Sequence, residues 1–217
     1  MPPTLGPLGV VFAVIGLALG LASDRLATRW PEHDEDHPAG RKPGWRTVVV
    51  AATGAVALGL LPQRFDGDWL SLALFGTWSA VLIIGLATDL DQRLLPDILT
   101  LPVVPIALLY DLGGRNPLVG GDILPAVLGA IVIPLVLYLP SIPFGEGAFG
   151  LGDVKFLIGA GLMTGLLRAF NGVLFALVLG GVVLLALLAT GRISRRSYVP
   201  FGPFLIFGAF WAVLIRP

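Results

Sequence analysis

Residues 69–97 read WLSLALFGTWSAVLIIGLATDLDQRLLPD. Twenty uncharged residues, Trp69 to Thr88, run straight into Asp89 and Asp91, with Asp97 just past Pro96. An uncharged run of that length matches the roughly 20 residues a helix needs to cross a bilayer. Such tracts recur along the whole 217-residue chain, which is 56% hydrophobic and 13% charged, with mean hydropathy +0.89. Lipid leaves helices as the spanning structure here, because backbone polar groups must bond within the segment. The fold class is therefore an all-α, polytopic integral membrane protein, read as one membrane-embedded domain over residues 1–217.

Eight helices are expected, at about Gly9–Ala22, Thr47–Leu61, Trp69–Thr88, Ile98–Tyr110, Ile123–Leu139, Val154–Ala169, Gly172–Thr190 and Pro200–Leu214. The second, fourth and sixth are short for a crossing and are expected to extend into flanking polar residues. Met1 to Pro7 has no basic region and no cleavage motif follows, so the opening tract is read as a retained span. With the N-terminus outside, the inner side receives Arg25, Arg29, Arg41, Lys42, Arg46, Arg93, Lys155, Arg192, Arg195 and Arg196. The outer side receives Arg64, Arg115, Arg168 and Arg216. That bias orients the chain by the positive-inside rule and puts both ends of interest at the cytoplasmic face.

Net charge is zero, so charge balance points to no nucleic-acid partner. The chain has no cysteine, which removes disulfides, thiolate metal ligands and cysteine nucleophiles together. The hydrophilic connection Ser23–Arg46 contains Glu32, His33, Asp34, Glu35, Asp36 and His37 between prolines. Two histidines four apart fit a metal site on one helix face, but the prolines and the surplus of acids fit an exposed loop better, so no metal is expected.

Asp89 stands at the C-terminal end of its helix, where the helix dipole disfavours a carboxylate. Asp97 after Pro96 reads equally as an ordinary helix start, since the residue before proline avoids helical geometry. The second charged stretch, Gly150-Leu151-Gly152-Asp153-Val154-Lys155, follows a glycine-rich approach. Asp153 has a bland reading as a helix cap; against it, ionisable groups bordering lipid are functional suspects. Lys155 is read either as a snorkelling lysine or as a group tuning the field around Asp153, and Glu146 as a loop residue. Two aspartates brought together by packing can share a proton, one acting as base toward water while the other polarises a carbonyl.

At these residues the chain resembles the type IV prepilin peptidases. Asp89 to Thr100 looks like the first aspartate motif of that family, Gly150 to Lys155 like its Gly-x-Gly-Asp-x-Lys motif, and Pro200-Phe201-Gly202-Pro203 like a segment before the last helix. The resemblance implies a membrane aspartic endopeptidase that removes the short basic leader of prepilin or pseudopilin precursors at the inner-membrane cytoplasmic face. It implies catalytic roles for Asp89 and Asp153, with Asp91, Asp97, Gly150, Gly152 and Lys155 in support. Asp34, Glu35, Asp36 and Glu146 are weaker expectations for contact with a basic leader. The expected partners are a precursor with an N-terminal hydrophobic helix and membrane lipid; oligomeric state is left open. Longer relatives carry two Cys-x-x-Cys pairs that hold zinc, absent here. Proteolysis needs no cofactor on this reading, and S-adenosylmethionine enters only if N-methylation is retained. The alternatives are a bifunctional peptidase and N-methyltransferase, a silent scaffold of a pilus or secretion apparatus, and a transporter.

Overall fold

The computed structural model describes residues 6–33, 39–144, 149–194 and 199–215. In chain order the helices are α1 (Pro7–Ala27), α2 (Trp45–Arg64), α3 (Trp69–Gln92), the short α4 (Asp97–Thr100), α5 (Val103–Leu112), α6 (Ile123–Tyr138), α7 (Leu151–Ala189) and α8 (Gly202–Leu214). A 3-10 turn, Leu139–Phe144, continues α6. The all-α class holds. Among the described residues five segments, not eight, are each long and apolar enough to span a membrane: α1, α2, α3, α6 with its 3-10 extension, and α7.

Burial separates this molecule from a water-soluble bundle. The most apolar stretches of α1 and α7 are only 28% and 22% buried inside the protein. Val11, Val14, Ile15, Leu167 and Leu185 all face outward. Apolar faces of that extent are unstable against water and are satisfied by lipid.

Helix pairs close over small residues. Gly16 and Gly20 of α1 lie against Gly54 and Ala51 of α2, and a Cβ at Gly16 would stand 2.0 Å from the Gly54 carbonyl oxygen. Gly129 of α6 meets Gly161 of α7 in the same way, and Gly172 meets Gly208 of α8. Between helices in lipid the driving force is close packing, which small residues permit.

The expected sixth and seventh helices run together as α7, with one break. Gly165, at φ 74° and ψ 167°, leaves helical geometry in its middle. A straight α7 of 39 residues would measure about 58 Å, twice the hydrocarbon thickness. It is not straight. Leu157 and Val173 line one small cavity with Leu205 and Ala212 of α8, although sixteen residues of straight helix would separate them by about 24 Å. The segment therefore bends back at Gly165, a conformation open to glycine and costly to other residues. Asn116 braces this point by donating from Nδ2 to the Met163 carbonyl (3.1 Å) and to Asp111 Oδ1 (2.8 Å).

Three boundaries differ from expectation in ways that matter. The third helix does not end at Thr88; it continues to Gln92, so Asp89 and Asp91 both lie inside its last turn. The expected fourth helix divides into α4 and α5 around Pro102, which lacks the amide proton a continuous helix would use. Ser23–Arg46 is not a solvated loop throughout: α1 runs to Ala27, and Ser23 and Asp24 are buried.

Two of the arginines expected on the outer side also gain a reason. Arg64 Nε donates to the Val213 carbonyl at 2.9 Å, and Arg168 donates to the carbonyls of Ala212 and Ile215. These are the unpaired carbonyls of the α8 C-terminus, which a guanidinium satisfies well.

Candidate active site

Asp89 is 4% exposed, and its Oδ2 is buried without a hydrogen-bond partner among the described residues. Such an orphaned oxygen is rare in folded proteins and calls for an explanation. The first residue of α8, Gly202, lies directly against it. A Cβ built on Gly202 would sit 2.6 Å from Asp89 Oδ2, 2.8 Å from Cγ and 2.9 Å from Oδ1. The absent side chain is what lets the α8 N-terminus, the positive end of its dipole, approach this carboxylate.

Asp153 occupies the first turn of α7, whose N-cap is Gly150. It is not the cap itself, as the bland reading had it. Its carboxyl instead lies back over the start of the helix, where a Cβ built on Gly150 would stand 3.4 Å from Asp153 Oδ2. Both aspartates thus face the amino end of a helix. Among the described residues, Asp153 and Arg93 are the charged groups within electrostatic reach of Asp89. Helices α3 and α7 are joined chiefly through third parties: α8 packs on both, and α4 packs on both.

The link through α4 is built from the first motif. Arg93 caps α3 in the left-handed conformation (φ 57°) and turns the chain back. Leu95 then wedges between Gly85 of α3 and Gly152 of α7: Cβ atoms on those glycines would lie 3.2 Å from Leu95 Cδ2 and 3.6 Å from its carbonyl oxygen. Two residues on, Asp97 receives Lys155 Nζ on both carboxyl oxygens, each at 2.7 Å. Lys155 therefore neither snorkels freely nor bonds Asp153.

Asp91, two positions from Asp89, is turned to other work. It is buried and accepts from Arg41 Nε at 2.6 Å and Arg46 Nη1 at 3.2 Å, with His33 Nε2 at 3.4 Å. Arg41 Nη2 also donates to Asp24 Oδ1 at 2.6 Å, and Thr47 Oγ1 donates to Asp24 Oδ2 at 2.7 Å. Arg25 pairs with Asp24 as well. Burial alone lowers the proton affinity of Arg41, but its bonds to Asp91 and then Asp24 outweigh this and hold it above its ordinary value. Gln92 Nε2 adds bonds to the carbonyls of Ala27 and Pro31. This network clamps residues 28–33 and 39–46 onto the last turn of α3.

Asp24 and Arg41 were invisible to motif reading, and the signal was slight: a lone carboxylate near the end of an apolar run. Gly202 was within reach of the sequence, inside the Pro-Phe-Gly-Pro segment, but its contact with Asp89 was not. Asp34, Glu35, Asp36 and Glu146 lie outside the described residues. Among the described residues no group of three or more His, Asp or Glu gathers as a metal site, and the chain has no cysteine.

Fold and site together define a multi-pass helical membrane protein that sets a buried aspartate, Asp89, and a half-buried one, Asp153, from separate helices at one end of its bundle. Comparison with known proteins gives that class a family. A profile of the type IV leader peptidase family matches residues 76–185, a span that holds both aspartates, and the chain belongs to this family. It is 33% identical over 161 residues to a prepilin leader peptidase/N-methyltransferase of Burkholderia pseudomallei, covering 74% of this chain and 52% of that protein. The Aeromonas hydrophila protein of the same name is 31% identical over 175 residues, covering 80% of this chain and 58% of the relative. The Dickeya chrysanthemi protein is 30% identical over 182 residues, covering 82% and 63%. The chain thus spans about half to three-fifths the length of these relatives. No solved structure matches it.

Proposed function

We propose that this chain is a membrane aspartic endopeptidase that cleaves the basic leader from prepilin or pseudopilin precursors, with Asp89 and Asp153 as its catalytic pair. The observation that carries the reading is that buried Asp89, with one oxygen left unbonded among the described residues, lies within electrostatic reach of half-buried Asp153, 64 residues on in sequence. One aspartate, ionised, takes a proton from water as the water attacks the scissile carbonyl. The other, protonated, hydrogen-bonds the carbonyl oxygen, and as the C–N bond breaks the first aspartate passes the proton it took from water to the leaving amine. Two carboxyl groups in mutual electrostatic reach divide these roles because both do not ionise together readily.

The topology proposed with it has eight crossings in a single domain over residues 1–217, the N-terminus outside and the site at the cytoplasmic face of the inner membrane. The bend at Gly165 supports counting α7 as two crossings, and α4 with α5 as one. The substrate enters with its hydrophobic helix in the membrane and its extended leader at the cytoplasmic edge.

The name shared by the relatives joins the peptidase to an N-methyltransferase. That favours the bifunctional alternative over a peptidase acting alone, with S-adenosylmethionine as methyl donor. No methyl-transfer step is assigned to particular residues.

The test is cleavage of a purified precursor by the purified protein in lipid or detergent, with mass measurement of the product's new N-terminus. Asp89→Asn and Asp153→Asn should each abolish cleavage while leaving thermal unfolding intact. A variant that still cuts would remove that aspartate from the mechanism, and normal filament assembly with both variants would favour the silent scaffold. A product heavier by one methyl group when S-adenosylmethionine is added supports the bifunctional form.

A further inference from the structure

We propose that Lys155 and Asp97 form a strut that sets the separation of Asp89 and Asp153, acting as positioning residues that do not touch the substrate; this rests on the peptidase reading above. The two aspartate-bearing helices have little direct contact, since α8 and α4 stand between them. Without a fixed spacer, the relative position of the two carboxyl groups would follow every small slide of α3 against α7.

The chain supplies such a spacer in the five residues after α3. Arg93 turns the backbone, Leu95 fills the gap between Gly85 and Gly152, and Asp97 ends the span on Lys155. Gly85 lies one helical turn before Asp89, and Gly152 directly precedes Asp153. The wedge therefore contacts both helices right beside the carboxyl-bearing residues. A wedge prevents approach but not separation, and the ion pair supplies the missing tension. Lys155 is two residues past Asp153 and Asp97 is the first residue of α4, so a bond between them draws α7 toward the first motif. The ammonium meets both carboxyl oxygens at 2.7 Å, a symmetric contact that restrains direction as well as distance.

Solvent reaches this pair, with side chains 36% and 54% exposed. Exposed pairs contribute little to global stability. The strut should thus affect geometry more than folding, and that separates it from a merely structural role. A displacement near 1 Å at the reacting groups costs on the order of a hundredfold in rate.

The experiment uses the full chain in lipid nanodiscs with two readouts. The first is cleavage kinetics of a purified prepilin. Lys155→Met and Asp97→Asn should each lower kcat by roughly ten- to a hundredfold with KM little changed, and the charge-reversed pair Asp97→Lys with Lys155→Asp should recover much of the loss. The second needs no activity. The chain has no cysteine, so spin labels at Leu94→Cys and Leu151→Cys, both exposed positions, report one distance by pulsed electron resonance. That distribution should be narrow in the parent and broader in either single variant. Unchanged kcat, an unchanged label distribution, or a loss confined to KM that scales with leader charge would each overturn the strut; the last would make Asp97 a leader contact instead. Broadening in a preparation whose parent cleaves no precursor would uphold the strut and sink the peptidase reading.

Discussion

Replacing Gly202 by alanine adds one methyl group where the structure has room for none. The new Cβ would lie 2.6 Å from Asp89 Oδ2, whereas ordinary contact begins near 3.4 Å. The carboxyl must retreat by about 0.8 Å, the difference between those distances, or α8 must tilt away and carry its N-terminal amides with it. Backbone strain does not enter, because Gly202 is not among the residues with positive φ. A misplacement near 1 Å is worth roughly a hundredfold in rate, or about 2.7 kcal/mol of barrier. The expected result is a kcat for precursor cleavage down by about that factor. Melting temperature should fall modestly, since the added methyl overpacks a buried contact. Gly181→Ala is the control, because a Cβ there meets nothing within 4 Å. If Gly202→Ala cleaves within about twofold of the parent, the close approach of α8 to Asp89 is irrelevant to chemistry and the site as described is wrong.

Arg41→Met should destabilise the protein by about 3 kcal/mol, because the buried carboxylates of Asp24 and Asp91 lose their shared partner; detergent-phase melting would register this, and proteolysis should open the 39–46 segment first. Gly161→Ala forces a Cβ to within 2.3 Å of the Gly129 carbonyl carbon, so α6 and α7 must part; lower melting temperature is expected, and an unchanged value would contradict the packing. Asp68 caps α3, and its bonds from the Ser71 hydroxyl and amide hold its carboxyl below the ordinary value. Its folded proton affinity is depressed, so the stabilisation is present above about pH 4 and fades as pH falls through the lower folded value. Asp68→Ala should cost about 1 kcal/mol at neutral pH and flatten that part of the stability profile, which melting across pH 2 to 7 would display.

Much of this protein could be read before it was folded. Hydropathy is a sum over neighbouring residues, so the apolar helices and the odd placement of Asp89 and Asp153 at their edges were legible along the chain. The helix count was less so, because α4, α5 and α8 are too short to be judged by length and the reversal at Gly165 needs only one residue. The site divided along similar lines. The two motifs could be found by residue type and spacing. That Lys155 answers Asp97 and not Asp153, that Asp91 serves the loop clamp through Arg41, and that Gly202 makes room for a carboxylate 113 positions away could not.

Membrane residence and the identity of the acidic side chains are properties of the local sequence, since the cost of placing each residue in lipid is incurred at that residue. Partnership is different. Which charge meets which is decided by the rotation and offset of whole helices, and these follow from how close glycines such as Gly16, Gly129 and Gly172 allow the backbones to come. A change of one small residue there would leave the hydropathy profile almost untouched and move every partner at the end that holds the aspartates.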